Sequence, residues 1–340
     1  MSRGGAVDLV TGGAGFIGSH LVDRLIVQGR RVRVLDSLVV GRRANLRQHD
    51  DDPRLEIIEA DVADNLAVDR AMAGVERVFH LAARADIVPS IRDPQAYFRA
   101  NVDGTFAVLE AARRHAVRRL VYAASSSVYG IPSIYPTPET APADPRYPYA
   151  LTKHLGEQLV LHWAQVYRLP ASSVRFFNVY GPRARTSGTY GAVFGVFLAQ
   201  LLAGEKLTVV GDGDQTRDFT FVSDIVDALL AVAHSDRIGE VYNVGSGAPV
   251  SVNVLIRLLG SPPCTHIPKR PGEPDCTWAD IGKIQKDIGW RPKVGIAEGV
   301  QVMRENIHYW RDAPVWTAAR IAEATSDWFR FLGQENIRGA

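Results

Sequence analysis

Cysteine is almost missing from this chain: Cys264 and Cys276 are the 2 present in 340 residues, and both fall in a loop-like stretch. At most one disulfide can form, so no framework of staples holds the fold, and a reduced cytosolic protein is the simpler account. Long apolar runs are missing too, and none approaches the ~20 residues that a membrane span needs. The N-terminus passes almost directly into a strand, which leaves no signal peptide to be read. Surplus charge is small. The net charge of +2 comes from 39 basic and 37 acidic residues, well mixed, which argues against a nucleic-acid partner. The pairs Arg113-Arg114 and Arg118-Arg119 read as solvated faces near a helix end and in the loop after it. No repeat, low-complexity tract, flexible linker or metal-ligand set is found. What remains, 46% hydrophobic and 22% charged, suits a large core in one or two domains.

One stretch organises the rest: Thr11-Gly12-Gly13-Ala14-Gly15-Phe16-Ile17-Gly18-Ser19-His20. An apolar run, Ala6 to Val10 with only Asp8 interrupting, precedes it and reads as a buried strand. Ile17, Leu21, Leu25 and Ile26 follow at helical spacing, with Gly29 placed to end the helix. A glycine-rich turn between strand and helix aims backbone N–H groups and the positive helix end at one point, which suits a pyrophosphate. Gly12 allows the tight turn, Gly15 lets backbone approach the ligand, and Gly18 lets helix and strand pack closely. The next strand, Val32 to Leu35, ends in Asp36, about 20 residues on, where an acid can bond ribose hydroxyls. Asp36 favours NAD over NADP because a carboxylate repels a 2′-phosphate; Arg42 and Arg43 close behind pull the other way.

Further strands are expected at Leu55–Asp61, Val78–Ala83, Leu120–Ala124 and Ser173–Phe177, with helices at about 95–114 and 149–167. Asp61 and Val62 close the third strand, where adenine could lie; Leu81, Ala82 and Ala83 close the fourth with small residues that let a cofactor cross the sheet edge. His80 reads as a packed strand residue. Six prolines between Pro132 and Pro148 rule out helix there. Strands alternating with helices imply an α/β fold, a Rossmann-type doubly wound parallel sheet. From Asn178 the pattern loosens. Gly181, Pro182, Gly188 and Gly191 mark loops, a helix is expected at 193–202, strands at 207–210 and 241–244, and an amphipathic helix near 317–331 that suggests no chemistry. The division expected is an NAD-binding domain over 1–177, with a returning segment near 219–246, and a smaller C-terminal substrate domain over 178–340.

Tyr149 and Lys153 stand four apart at a helix start and share one face. An ammonium there favours a phenolate and lowers the tyrosine pKa. Such a phenol can take a proton from a sugar hydroxyl while hydride leaves the same carbon. Ser125, at the neighbouring strand end, could bond the same oxygen.

With these residues in place the chain resembles, over nearly its full length, the sugar-nucleotide epimerase/dehydratase branch of the extended short-chain dehydrogenases/reductases. The matching segments are Thr11 to Gly18, His80-Leu81-Ala82-Ala83, Ser125, Tyr149 with Lys153, and Arg175 to Pro182. Gly211-Asp212-Gly213, Arg217-Asp218-Phe219 and Arg270-Pro271-Gly272-Glu273 match as well. The resemblance implies NAD as cofactor, with Tyr149 and Lys153 also touching it. It implies a nucleotide diphosphate held by Asn178, Arg217 and Arg270, with Ser127, Glu273 and Thr277 beside the sugar. Two arginines give fork-shaped bonds to phosphate.

Dehydratases of this branch carry Thr-Asp-Glu after the fifth strand, and decarboxylases keep a Glu in its third position. Here the triplet is Ser125-Ser126-Ser127, which speaks for epimerisation at C4 through a 4-keto sugar. The alternatives are a dehydratase or decarboxylase drawing its acid from another loop and, remotely, a non-catalytic NAD sensor. Uridine diphosphate (UDP) hexoses are the substrates implied. Galactose-specific relatives place a Tyr where Thr277 precedes Trp278-Ala279-Asp280, so the smaller residue leaves room for an N-acetyl group. A Lys that some 4-epimerases carry after the fourth strand is Ala85 here. A homodimer through the helices at 95–114 and 148–167 is expected.

Overall fold

The computed structural model describes residues 6–184 and 192–333; Gly188 and Gly191 lie outside them. The chain alternates strand and helix through its first half: β1 (Val7–Thr11), α1 (Phe16–Val27), β2 (Arg31–Asp36), β3 (Leu55–Glu59), α2 (Asn65–Met72), β4 (Val75–His80), α3 (Ile87–Arg92), α4 (Pro94–Phe98), α5 (Gly104–Arg114), β5 (Arg119–Ser125), α6 (Pro148–Val166) and β6 (Ala171–Phe176). The second half has β7 (Val179–Tyr180), α7 (Val193–Leu202), β8 (Leu207–Val210), β9 (Thr216–Arg217), β10 (Thr220–Phe221), α8 (Val222–His234), β11 (Val241–Val244), β12 (Val250–Ser251), α9 (Val252–Leu258), β13 (Cys264–Ile267), α10 (Gly282–Ile288), α11 (Ile296–Glu305), α12 (Ala318–Ala324) and α13 (Ser326–Leu332).

Seven strands form one parallel sheet in the order β3-β2-β1-β4-β5-β6-β11. Successive strand residues serve opposite faces. Val10 and Val34 pack with Leu21 and Leu25 of α1 and Ile225 and Leu229 of α8. Leu9 and Leu35 pack with Val68 of α2, Val108 of α5 and Val160 of α6. Both faces are covered, which is why these strands read as near-continuous apolar runs. Asp8, the break in β1, is fully buried and paired with Arg30 and Arg77 at 2.6–2.9 Å, as a buried charge must be. A third core, built from Phe194, Phe197, Phe219 and Trp310, lies under the second half. There β7 pairs β10, β9 pairs β12 and β8 pairs β13.

Several expectations shift. The third and fourth strands end at Glu59 and His80, so Asp61, Val62 and Leu81 to Ala83 sit on loops just past the sheet edge. The long helix starts at Pro94 and contains a π turn, Arg99–Asp103. The terminal helix breaks at Thr325 into α12 and α13. Arg119 is not a solvated residue. It opens β5 and is 5% exposed, with its guanidinium donating to the Val232 carbonyl in the last turn of α8 at 2.9 Å and to Ser172 Oγ at 3.2 Å. A cation at a helix C-terminus is favourable there. Arg113, Arg114 and Arg118 are exposed, as expected.

Candidate active site

Strand order reverses between β1 and β4, and an open parallel sheet binds its ligand at such a crevice, past the strand C-termini. A cleft of about 940 Å³ opens there, and every candidate residue named from the sequence lines it. Its cofactor side is made by backbone. Gly12 has φ +70°, and a Cβ on it would stand 2.8 Å from the Ala82 nitrogen. A Cβ on Gly18 would meet the Gly13 Cα at 2.8 Å, so α1 starts hard against the turn. Gly15 caps α1 without a side-chain bond, which leaves the N–H groups of the first turn to a ligand. Phe16 and Ile17 follow on the cleft wall.

Asp36 ends β2 with each carboxylate oxygen accepting one backbone bond at 2.9 Å, Oδ2 from Ala14 and Oδ1 from Leu38. Burial pushes its pKa up, and those bonds oppose the shift. Each oxygen keeps a lone pair for a hydroxyl. Asp61 accepts from the Ala63 nitrogen at 2.9 Å and from Arg99 at 3.2 Å, beside Val62. A turn with no room for side chains, an uncapped helix start and an acid at the β2 end fit an adenine dinucleotide.

The chemical side starts at Ser125, the last residue of β5. Its hydroxyl caps a 3₁₀ turn, Ser126–Tyr129, accepting from the Ser127 nitrogen at 3.2 Å and Ser127 Oγ at 2.9 Å. It also bonds the Tyr149 hydroxyl. Pro148 opens α6, and Tyr149 and Lys153 follow one turn apart. Lys153 is buried with its Nζ 4.3 Å from the centre of the Tyr122 ring. Burial pushes its ammonium down to about 7, and Glu157 one turn further partly offsets this. Tyr149 departs from expectation: burial raises its pKa, and only the Ser125 bond acts against that. A lysine that is itself shedding its proton near neutrality gives the phenol little field. His80 is a packed residue, bonded to Thr11 Oγ1 at 2.7 Å and Thr105 Oγ1 at 3.0 Å, and burial followed by the Lys153 charge drives it to about 3.

The opposite wall comes from the second half. Arg217, on β9, donates to Glu273 at 3.0 Å, and Arg270 lies 3.6 Å from the same carboxylate. Thr277 donates to Asn178 Oδ1 at 2.7 Å and accepts from the Asp218 nitrogen at 3.0 Å. Arg217, Arg270 and Glu273 line the same cleft as Tyr149.

Residues 9–245 match the model of the NAD dependent epimerase/dehydratase family. The chain belongs to that family. It is 40% identical over 300 residues to a UDP-glucose 4-epimerase of Mycolicibacterium smegmatis, covering 86% of this chain and 95% of that one. Its fold is similar to the UDP-glucose 4-epimerase of Thermotoga maritima solved with UDP-glucose, with TM-score 0.83, 33% identity, and 90% of this chain and 99% of the other covered. It is likewise similar to the UDP-N-acetylglucosamine 4-epimerase of Methanobrevibacter ruminantium in complex with UDP-N-acetylmuramic acid, with TM-score 0.84, 31% identity and coverages of 91% and 98%. As a member of an NAD-dependent enzyme family, the chain takes NAD as its cofactor.

Four residues in the wall of this cleft or bonded behind it were not singled out from the sequence. Asn101, in the π turn, bonds the Arg84 nitrogen at 2.8 Å, its carbonyl at 3.0 Å and Thr152 Oγ1 at 3.0 Å, tying the end of β4 to α6. Glu157 is fully buried, paired with Arg175 at 2.6 Å and with Ser173 at 2.9 Å. A glutamate one turn after Lys153 on a buried helix face was a legible signal. Tyr147 lines the cleft parallel to Tyr149, ring centres 6.5 Å apart at 9°, and bonds Ser127. Trp328 lines it too, from α13, a helix whose amphipathic pattern suggests no chemistry.

Proposed function

We propose that this enzyme is a nucleotide-sugar 4-epimerase acting on a UDP-hexose or UDP-N-acetylhexosamine through a transient 4-keto sugar. The observation that carries this reading is a Ser125–Tyr149 hydroxyl pair with Lys153 behind it, at a strand end whose triplet holds three serines and no carboxylate. Bound NAD supplies the two-electron oxidation of C4 and its reversal. In its phenolate form, which the positive nicotinamide ring favours against the effect of burial, Tyr149 takes the 4-hydroxyl proton and later returns it, while Ser125 orients its oxygen. Elimination of water or loss of a carboxylate needs a further acid or base, which this triplet lacks. Arg217 and Arg270 bind the diphosphate, with Asn178 and Glu273 completing the wall. Thr277, smaller than a tyrosine, leaves volume at the sugar for an N-acetyl group. In this division residues 1–177, with the returning segment 219–246, serve the cofactor and 178–340 serve the substrate. Two unpaired cysteines support a cytoplasmic setting. Incubation with a panel of nucleotide sugars, read by NMR without added NAD, should show C4 epimers only. A 4-keto-6-deoxy product or a pentose would replace this reading with a dehydratase or a decarboxylase.

A further inference from the structure

The last two helices lie far outside the segment matched by the family model, which ends at residue 245, yet Trp328 of the second lines the cleft. α12 is anchored by Ile321, buried in the core of the second half, and α13 packs on α3 beside the β4 end. Arg92 of α3 donates to Asp327 at 2.7 Å and to the Ala324 carbonyl at 3.1 Å. An exposed ion pair of this kind adds little by itself. The anchor is Trp328, which is 2% exposed. Its indole N–H donates to the Pro271 carbonyl at 2.7 Å, its ring carries the Arg270 guanidinium 5.9 Å from its centre, and Tyr147 packs against it at 5.8 Å.

We propose that Trp328 is a positioning residue for Arg270, which makes the C-terminal helix pair part of the nucleotide-sugar site. The inference rests on the reading of Arg270 as a diphosphate-binding residue. An arginine side chain pays a large rotamer entropy to hold one pose, and a ring beneath the guanidinium with a bond to the next residue's carbonyl restricts it before ligand arrives. Asn178 serves as an internal reference, since it is held by Thr277 at 2.7 Å rather than by Glu273, which Arg270 shares with Arg217.

The test is a double-mutant cycle on the full-length, NAD-loaded enzyme, with UDP affinity read by calorimetry so that no turnover is needed. Trp328→Ala should weaken UDP roughly 10-fold, the loss expected of a desolvated cation–π contact and one hydrogen bond. The double variant Trp328→Ala/Arg270→Ala should be no weaker than Arg270→Ala alone, whereas pairing Trp328→Ala with Asn178→Ala should multiply the two effects. Trp328→Phe keeps a ring but loses the indole N–H and should weaken UDP about 3-fold; it carries the test if the alanine variant does not fold. Wild-type binding with Trp328→Ala unaltered, with its effect fully multiplicative on Arg270→Ala, or with Trp328→Phe unaltered overturns this inference alone. Wild-type enzyme that does not bind UDP overturns the nucleotide reading, and this inference with it.

Discussion

A phenol that burial holds protonated and a lysine that burial holds near neutrality set the resting state of the reacting pair. Tyr149→Phe removes the hydroxyl that α6 presents to Ser125. Turnover should fall by roughly 10²–10⁴-fold with NAD and UDP binding near normal, and a variant of near-full activity would take Tyr149 out of the mechanism. Lys153 has a stability signature of its own. Its folded pKa lies near 7, below the ordinary 10.5, so between those values the unfolded chain binds the extra proton and folding stability rises with pH. Relative to Lys153→Met, wild-type enzyme should gain unfolding free energy from pH 7 to pH 9 in denaturant titrations. A constant difference would mean that the lysine is not depressed. Thr277→Tyr should cut kcat/KM for N-acetylhexosamine nucleotides by roughly 10–200-fold relative to plain hexose nucleotides. Both substrates will also share a loss from the broken Asn178 and Asp218 bonds, so the ratio of the two constants is the quantity to measure. An unchanged ratio removes Thr277 as the gate.

At the scale of elements, the β1–α1 turn is the most sequence-determined part of the molecule. Gly12 must hold φ +70° while the β4 end approaches to within contact, so Gly12→Ala combines backbone strain with an overlap that overpacking data put at roughly 1–3 kcal/mol. NAD content of the purified variant, read by absorbance after denaturation, should fall well below that of wild type. Full occupancy would mean that the turn can move aside. Helix α6 shows a different kind of determination. Tyr149, Lys153 and Glu157 follow from one another at four-residue spacing. Their neighbours Ser125, Tyr122 and Arg175 come from strands that only sheet order brings alongside.

At the scale of the molecule, α5 and α6 leave Phe106 at 46%, Leu151 at 45% and Val166 at 52% exposure, with Phe98 on α4 at 46%. Apolar residues outward on adjacent helices favour a two-fold partner. Light scattering at micromolar concentration should give a dimer, and Phe98→Asp with Phe106→Asp should shift it to monomer; a monomeric wild type would discard the arrangement. The same scale explains how a chain with two cysteines stays folded, since both faces of a seven-stranded sheet are covered and Asp8 finds two arginines inside.

What the amino-acid order determined alone is whatever local periodicity and short spacing encode. These are the alternation of strands and helices, the glycine turn, Asp36 one strand later, the Tyr149–Lys153 face, and His80 as a packed residue. Each is fixed within about 20 residues of backbone geometry. Tertiary structure decided the rest. Arg119 stands beside charged neighbours in a loop-like stretch and reads as solvated, but the sheet order places it against the end of α8, 113 residues away. The pKa of Tyr149 depends on how deeply the cleft buries it, a property of the whole wall. Trp328 belongs to a helix whose local pattern is only amphipathic, and it reaches Pro271 across 57 residues because α12 is anchored in a core built by the second half. Contacts of that separation depend on packing, and packing has no period to read.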